Sequence, residues 1–455
     1  MAAETVHRQA GEPAGPGAPG GEGVFADMAG QDRVVAQLQK AARAAARVQA
    51  GEPVTAGGMT HAWLFTGPPG SGRSVAARSF AAALLCPDGG CGSPPGGSGG
   101  SVSPGHAPPG GSGGGVSPGH TPPGGTGGVV PPGQHCAACR QVRAGTHADL
   151  MVVRPDGLSY GVKQTRGLVL RAAGAPSGGR WRVVLFEDAD RCTEQAANAL
   201  LKAIEEPAPR TVWLLCAPSA EDLVTTIRSR CRVVTLRVPS SEAVAAVLTS
   251  RDGIDPQRAL EAARAAQGHI GRARRLATDA DARSHREQVL AVPSRATSLG
   301  SALSAAAALV KAAEDEAKSV TGELDEPERE ALRQAFGEGS TGKGVAKAVR
   351  GAAGALRDLE DRQKSRATRL KRDSLDRALL DLASFYRDVL MIQANAGVEL
   401  ANSDHEAELR ELASASSPEA TLHRIEAIMR CRERLAASVA PLLAVEEMTI
   451  SLLAG

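Results

Sequence analysis

The stretch "HAWLFTGPPGSGRS", residues 61–74, sets an apolar run before a loop of glycines and prolines, and a helix-forming segment, "SVAARSFAAALL", begins at Ser74. Strand, glycine-rich turn and helix in that order make a phosphate cradle, because the glycines let backbone N–H groups converge at the helix N-terminus. The loop runs through Gly67, Pro68, Pro69, Gly70, Ser71, Gly72, Arg73 and Ser74. The pattern GxxxxGK[ST] requires lysine where Arg73 stands. A guanidinium keeps the charge but is longer, planar and differently directed, so nucleotide binding can survive where transition-state geometry does not. Ser74 is placed to reach Mg²⁺. The plain alternative is a Gly/Pro turn that holds no ligand.

Downstream, "RWRVVLFEDAD" (180–190) reads as a short strand ending in acids, "TEQAANALLKAIEEP" (193–207) as a helix closed by Pro207, and "TVWLLCAP" (211–218) as a second buried strand. Strands alternating with helices predict a parallel α/β sheet. Nucleotide hydrolysis on such a sheet wants Asp to orient Mg²⁺ and a following Glu to polarise water. Here Glu187 and Asp188 stand in reversed order, each carboxylate displaced by a methylene. They either serve a weakened cation site or merely solvate a strand end.

Regular patterning starts at "VFADMAGQDRVVAQLQKAARAAARVQ", where Val34, Val35, Leu38, Ala41 and Ala42 recur at helical spacing. Residues 1–23 form a Gly/Pro/Ala tail, expected to be disordered. From about residue 240 strand signals fade, which predicts a small helical domain over 241–290 and a larger one over 291–455. Within the latter, the polar, charge-dense stretch near 320–375 reads as an exposed helical excursion. Its segment "KSRATRLKRD" (364–373) clusters five cations. It reads either as a phosphate-contacting strip or, balanced by "RDLEDR" before it, as a solvated face, and the second is preferred.

Between Gly92 and Gln134 lies a charge-free tract in which "VSPGHAPPGGSGG" (102–114) recurs as "VSPGHTPPGGTGG" (116–128). Gly and Pro at that density cannot bury enough apolar area to offset ordering entropy, so a disordered insertion over 92–135 is expected. Cysteines flank it. Cys136 and Cys139 form a CxxC, and Cys86 and Cys91 precede the tract, so removing it gathers four thiols into one short loop. The other four, Cys192, Cys216, Cys231 and Cys431, lie in apolar or motif contexts and read as thiols, three buried and Cys192 partly exposed.

The whole chain has 455 residues with 52 basic and 50 acidic side chains, a formal charge of +2, so no global field draws it to nucleic acid. Aromatic residues make up only 2%, which argues against stacking platforms for single strands. No uninterrupted apolar run approaches a membrane span, and the N-terminus lacks a signal-peptide core, so a cytoplasmic protein is expected.

Three segments together carry a family resemblance: "HAWLFTGPPGSGRS", "LFEDADRCTEQAANALLKAIEEPAPRTVWLLCAPSAEDLVTTIRSRC" (185–231) and "AQGHIGRARRLA" (266–277). They resemble the clamp loader of bacterial DNA polymerase III, most closely subunits of the delta-prime type from actinobacteria. The likeness covers roughly residues 25–290 and, more loosely, the helical end, where "RLAASVAPLLAVEEMTISL" (434–452) is similar to a last collar helix. It implies an AAA+ P-loop domain over 24–240, a helical lid over 241–290 and a collar over 291–455 that assembles five subunits. The implied partners are gamma/tau and delta subunits and, through the complex, a sliding clamp and primed DNA. The chain would belong to a nucleotidyltransferase complex with no polymerase site of its own.

The same resemblance assigns "SRC" at Ser229, Arg230 and Cys231 to the motif whose arginine reaches the γ-phosphate bound by a neighbouring subunit; the alternative is an arginine in a surface ion pair. Two other positions depart from the hydrolysing pattern: Ala217 and Pro218 stand where a polar residue follows the buried strand, and Gly271 where the lid arginine is wanted, with Arg272 one place off. Little or no ATP hydrolysis is therefore expected. The cysteine loop (86–139) resembles the family's structural zinc module, which implies Cys86, Cys91, Cys136 and Cys139 as ligands. Because Gly133 occupies the usual place of one ligand, His135, His120 or His106 could substitute for Cys91. The readings outside delta-prime are an ATP-hydrolysing gamma/tau-like motor and another AAA+ remodeller acting on DNA.

Overall fold

The computed structural model describes residues 23–53, 58–87, 136–155, 157–178, 180–335 and 345–454. The tail through residue 22, the Gly/Pro tract with Cys91, Gly133 and the three alternative histidines, and residues 336–344 of the charged stretch lie outside the described residues.

Five strands, β1 (Ala62–Thr66), β2 (Leu150–Val153), β3 (Arg182–Phe186), β4 (Thr211–Ala217) and β5 (Arg232–Thr235), form one parallel sheet in the order β2-β3-β4-β1-β5. The central strands, "AWLFT" and "TVWLLCA", are buried along their whole length. Helices cover both faces, so nothing along them alternates with solvent. The period of two instead divides their side chains between two cores. Trp63, Phe65, Leu185 and Leu214 face α1 (Asp32–Gln49), α2 (Arg73–Leu85) and α3 (Ala137–Ala144), packing on Leu38, Phe80 and Val142. Ala62, Leu64, Phe186 and Trp213 face α4 (Val162–Ala172), α5 (Glu194–Glu205) and α6 (Thr225–Arg228), packing on Leu168, Leu200 and Ile227. The sheet with its two helical layers is a parallel, three-layer α/β architecture.

Strands β2 and β5 are additions to the sequence reading. Each has four residues, and in β5 only Val234 is buried, so neither carries the long apolar run that marked the central strands. Helix α5 is started by Thr193, whose side chain accepts from the backbone of Ala196, and stops before Pro207.

Four helices follow the sheet: α7 (Ser241–Asp252), α8 (Pro256–Ala265), α9 (Ile270–Thr278) and α10 (Ala280–Leu290). They share an alanine-rich core that includes Ala259, Ala263 and Ala273. The remainder is α11 (Val292–Arg295), α12 (Leu299–Ala335), α13 (Val345–Gln393), α14 (Glu406–Ala415), α15 (Pro418–Ala436) and α16 (Pro441–Ala454). Leu309, Leu379, Tyr386, Ile428 and Met448 fill the centre of that bundle. Among the described residues, no helix is long and apolar enough to cross a membrane.

The described residues of the charged stretch are helical and largely exposed or half-buried. They lie in α12 and α13, which are held together where Arg366 meets Asp325 at 2.6 Å and Glu328 at 2.5 Å. Leu359 and Gln363 are buried between them.

Candidate functional site

In a parallel sheet the loops after the strands share one edge, and a crevice opens where neighbouring strands are joined in opposite directions. Here that edge gathers the phosphate loop after β1, Glu187 and Asp188 after β3, and Pro218 after β4. Left-handed backbone at Gly70 (φ 89°) and Gly72 (φ 84°) shapes the loop. A Cβ on Gly67 would lie 2.5 Å from Ser71 Oγ and 2.7 Å from the Leu236 carbonyl oxygen, so only glycine fits. The Gly67 N–H donates to the Pro218 carbonyl at 3.0 Å, which ties the loop to the end of β4. Pro68 and Pro69 are exposed at the crevice, Ser71 is buried and Ser74 is half-buried in the first turn of α2.

The cradle has its shape, but its charged groups are engaged inside the chain. Arg73 turns back and donates from Nη1 to the Gly67 carbonyl, 2.5 Å away. Glu187 is buried and bound by two arginines, Arg78 of α2 at 3.0 Å and Arg154 at 2.6 Å. Burial alone would raise its pKa; the hydrogen bond and charge of Arg154, with Arg78 behind them, outweigh it and hold the carboxyl below its ordinary range. Asp188, in left-handed backbone at φ 50°, is paired with Arg369 of α13 at 3.2 Å. Glu187 is enclosed by two arginines and the partly exposed Asp188 is paired with one, so neither presents an unpaired carboxylate and the donor set does not fit Mg²⁺ as arranged.

The helices after the sheet close over the loop. A Cβ on Gly70 would lie 3.2 Å from the backbone nitrogen of His269, the residue that caps α9. Burial, followed by the charges of Arg272, Arg377 and Arg73, pushes the His269 pKa down. Gly271 offers no side chain, and Arg272 points away from the loop to Asp381 of α13. Ala217 is buried, and Pro218 engages the loop through its carbonyl.

Arg230 lies elsewhere. It follows α6 and precedes β5, whose Arg232 pairs in register with Trp63 near the start of β1, whereas the phosphate loop follows Thr66 at the other end. Its guanidinium is exposed, 2.8 Å from the Thr226 carbonyl and 2.6 Å from Glu205 Oε1. Cys231 beside it is half-buried, and its thiol is pushed up to about 12 by burial.

Three of the four proposed zinc ligands converge. Cys86 closes α2, Cys136 caps α3 and Cys139 lies in its first turn, with the three sulfurs within 4.8 Å of one another. The Cys86 and Cys136 sulfurs are 3.8 Å apart, which matches the edge of about 3.8 Å expected for sulfurs about 2.3 Å from a tetrahedral ion. Arg180 fixes the start of this loop through the carbonyls of Cys86 at 2.7 Å and Pro87 at 2.8 Å. The donor set therefore fits zinc. The Cys139 thiol is raised by its hydrogen bond with Cys86 and by burial. Cys216 and Cys431 are buried in separate cores, and Cys192 is half-buried with its thiol pushed up to about 12, mostly by burial.

Three of the five cations at 364–373 are paired with acids of other elements, whereas Lys364 is exposed. Arg366 binds Asp325 and Glu328, Arg369 binds Asp188, and Lys371 meets Glu314 at 2.5 Å. Sequence reasoning also passed over Arg78 and Arg154. Arg78 lies one helical turn beyond the loop, a spacing that points back at the β3 end, but the partner was visible only in three dimensions.

Two segments match models of known families. Residues 127–240 match "DNA polymerase III, delta subunit" and residues 366–452 match "DNA polymerase III, delta subunit, C terminal". The chain is similar to proteins called DNA polymerase III subunit delta'. That of Haemophilus influenzae is 40% identical over 128 residues, which are 28% of this chain and 39% of that protein. That of Pseudomonas aeruginosa is 32% identical over 208 residues, 44% of this chain and 50% of that protein. DNA polymerase III subunit gamma/tau of Mycobacterium bovis is 29% identical over 207 residues, 45% of this chain and 27% of that protein. The chain thus spans half or less of the length of these curated relatives.

Proposed function

We propose that this relative of the DNA polymerase III delta' subunits works in a clamp-loader complex, where it supplies Arg230 in trans to the ATP of a neighbouring subunit and hydrolyses little or no ATP itself. One observation carries the reading: Arg230 and the chain's own phosphate loop stand at opposite ends of the sheet, so the guanidinium cannot serve its own cradle. An exposed arginine on such an edge adds positive charge to a transition state that another chain hosts. The pairing of Glu187, Asp188 and Arg73 within the chain supports the absence of turnover. On this reading gamma/tau and delta subunits are the partners, and the clamp and primed DNA are met through the complex. Bound zinc would supply a structural cross-link among Cys86, Cys136, Cys139 and a fourth ligand.

The similarity to gamma/tau of Mycobacterium bovis favours a second reading, a hydrolysing motor. Steady-state ATPase assays separate the two. The isolated chain is expected to show no turnover and to raise that of its partner subunits, and Arg230→Ala is expected to abolish that stimulation while the complex still assembles. Unchanged stimulation in Arg230→Ala overturns the finger, and brisk turnover by the isolated chain supports the motor.

A further inference from the structure

We propose that Arg369 is a latch through which α13 holds the C-terminal bundle onto the sheet domain, and that the acidic end of β3 is its keeper. The ion pairs form a continuous chain, Asp188–Arg369–Asp373–Arg191. Arg369 donates from Nη1 to the Pro155 carbonyl at 2.8 Å and from Nη2 to Asp188 at 3.2 Å, and its Nε lies 3.5 Å from Asp373. Asp373 in turn lies 3.6 Å from Arg191, in the turn that follows Asp188. Two arginines and two aspartates alternate across the junction, with each charge facing an opposite one.

The backbone is arranged to permit it. Asp188 takes left-handed φ, which an unbranched polar residue tolerates at some cost, and this directs its side chain at α13 rather than along the strand. At Gly157 a Cβ would come within 3.3 Å of Ser365 Cβ, so a glycine lets α13 approach the loop after β2 closely. The same helix takes Arg272 from α9 through Asp381, and Glu316 of the neighbouring α12 takes Arg275 at 2.5 Å. Sheet, lid helices and bundle therefore line a common cleft of about 1780 Å³, and both Arg369 and the exposed loop prolines Pro68 and Pro69 border it.

Isolated surface pairs contribute little, but Arg369 is mostly covered and also satisfies a backbone carbonyl, so its loss leaves several groups without partners. This role is independent of what Arg230 does. A double-mutant cycle read by hydrogen exchange on the full-length protein tests it. Arg369→Gln and Asp188→Asn are each expected to speed exchange over residues 157–166 and 188–193 by about tenfold, with the double variant no faster than the Arg369→Gln variant. Asn at 188 keeps the left-handed backbone accessible, so this arm remains informative if Arg369→Gln fails to fold. Unchanged exchange in either single variant, or effects that add in the double variant, overturns the latch.

Discussion

Arg73 Nη1 lies 2.5 Å from the Gly67 carbonyl, so the cation standing at the lysine position of the phosphate loop is bound to the loop's own backbone. The side chain closes the turn that a lysine would leave open. On the proposed reading the loss of turnover rests on more than one residue, since Glu187 and Asp188 are also paired with arginines.

Arg73→Lys is therefore expected to leave the isolated chain without measurable ATP turnover, while costing about 1 kcal/mol of stability for the lost contact. Urea denaturation and a coupled ATPase assay check both halves. Brisk turnover in this single variant would falsify the view that several altered features jointly disable the site.

Glu316 gives a pH dependence with a definite sign. It is nearly covered between Arg275 at 2.5 Å and Arg377 at 2.9 Å. Burial opposes its charge, but Arg377, the Ser374 hydroxyl and Arg275 hold its pKa down at about 2. A carboxyl depressed in the folded state stabilises above its unfolded pKa of about 4.5 and loses that contribution as pH falls towards about 2. Glu316→Gln is expected to cost on the order of 2–3 kcal/mol at neutral pH and progressively less below pH about 4. Parallel melting curves of the two proteins across pH test this; a constant difference would count against it.

The cysteine cluster predicts metal stoichiometry. The wild-type chain should hold about one zinc ion, and Cys136→Ser should lose it and the thermal stability it confers. Metal analysis after exhaustive dialysis is the measurement, and full retention of zinc by Cys136→Ser would exclude this ligand set.

How much of this was legible depends on where the determining contacts lie in the chain. The parallel sheet could be read from β1, β3 and β4 because their apolar runs are continuous and bounded by a glycine loop, acids or proline. β2 and β5 were not, being four residues long with partly exposed sides. The loop's shape was written in its glycines, and the CxxC announced two sulfurs of the metal cluster. The fate of Glu187 and Asp188 was not written locally. Their partners Arg78, Arg154 and Arg369 are 109, 33 and 181 positions away, and no spacing rule links residues that meet only after the sheet and bundle have packed. Arg366, Arg369 and Lys371 were hidden for the same reason: a helix face rich in cations looks solvated until the acids it meets are known.

The 3.8 Å between Cys86 and Cys136 has an engineering consequence. The chain leaves and re-enters the sheet domain at one point, held on both sides by α2 and α3, so the length of what lies between is nearly decoupled from the fold. Closure entropy grows only with the logarithm of that length, and doubling it costs about 0.6 kcal/mol. Removing residues 95–130 should shift the melting temperature little, and a small folded reporter spliced there should be tolerated. Outside the candidate fourth ligand, the tract between these cysteines is thus expected to change length at little cost to the sheet, and its tandem repeat is one such change.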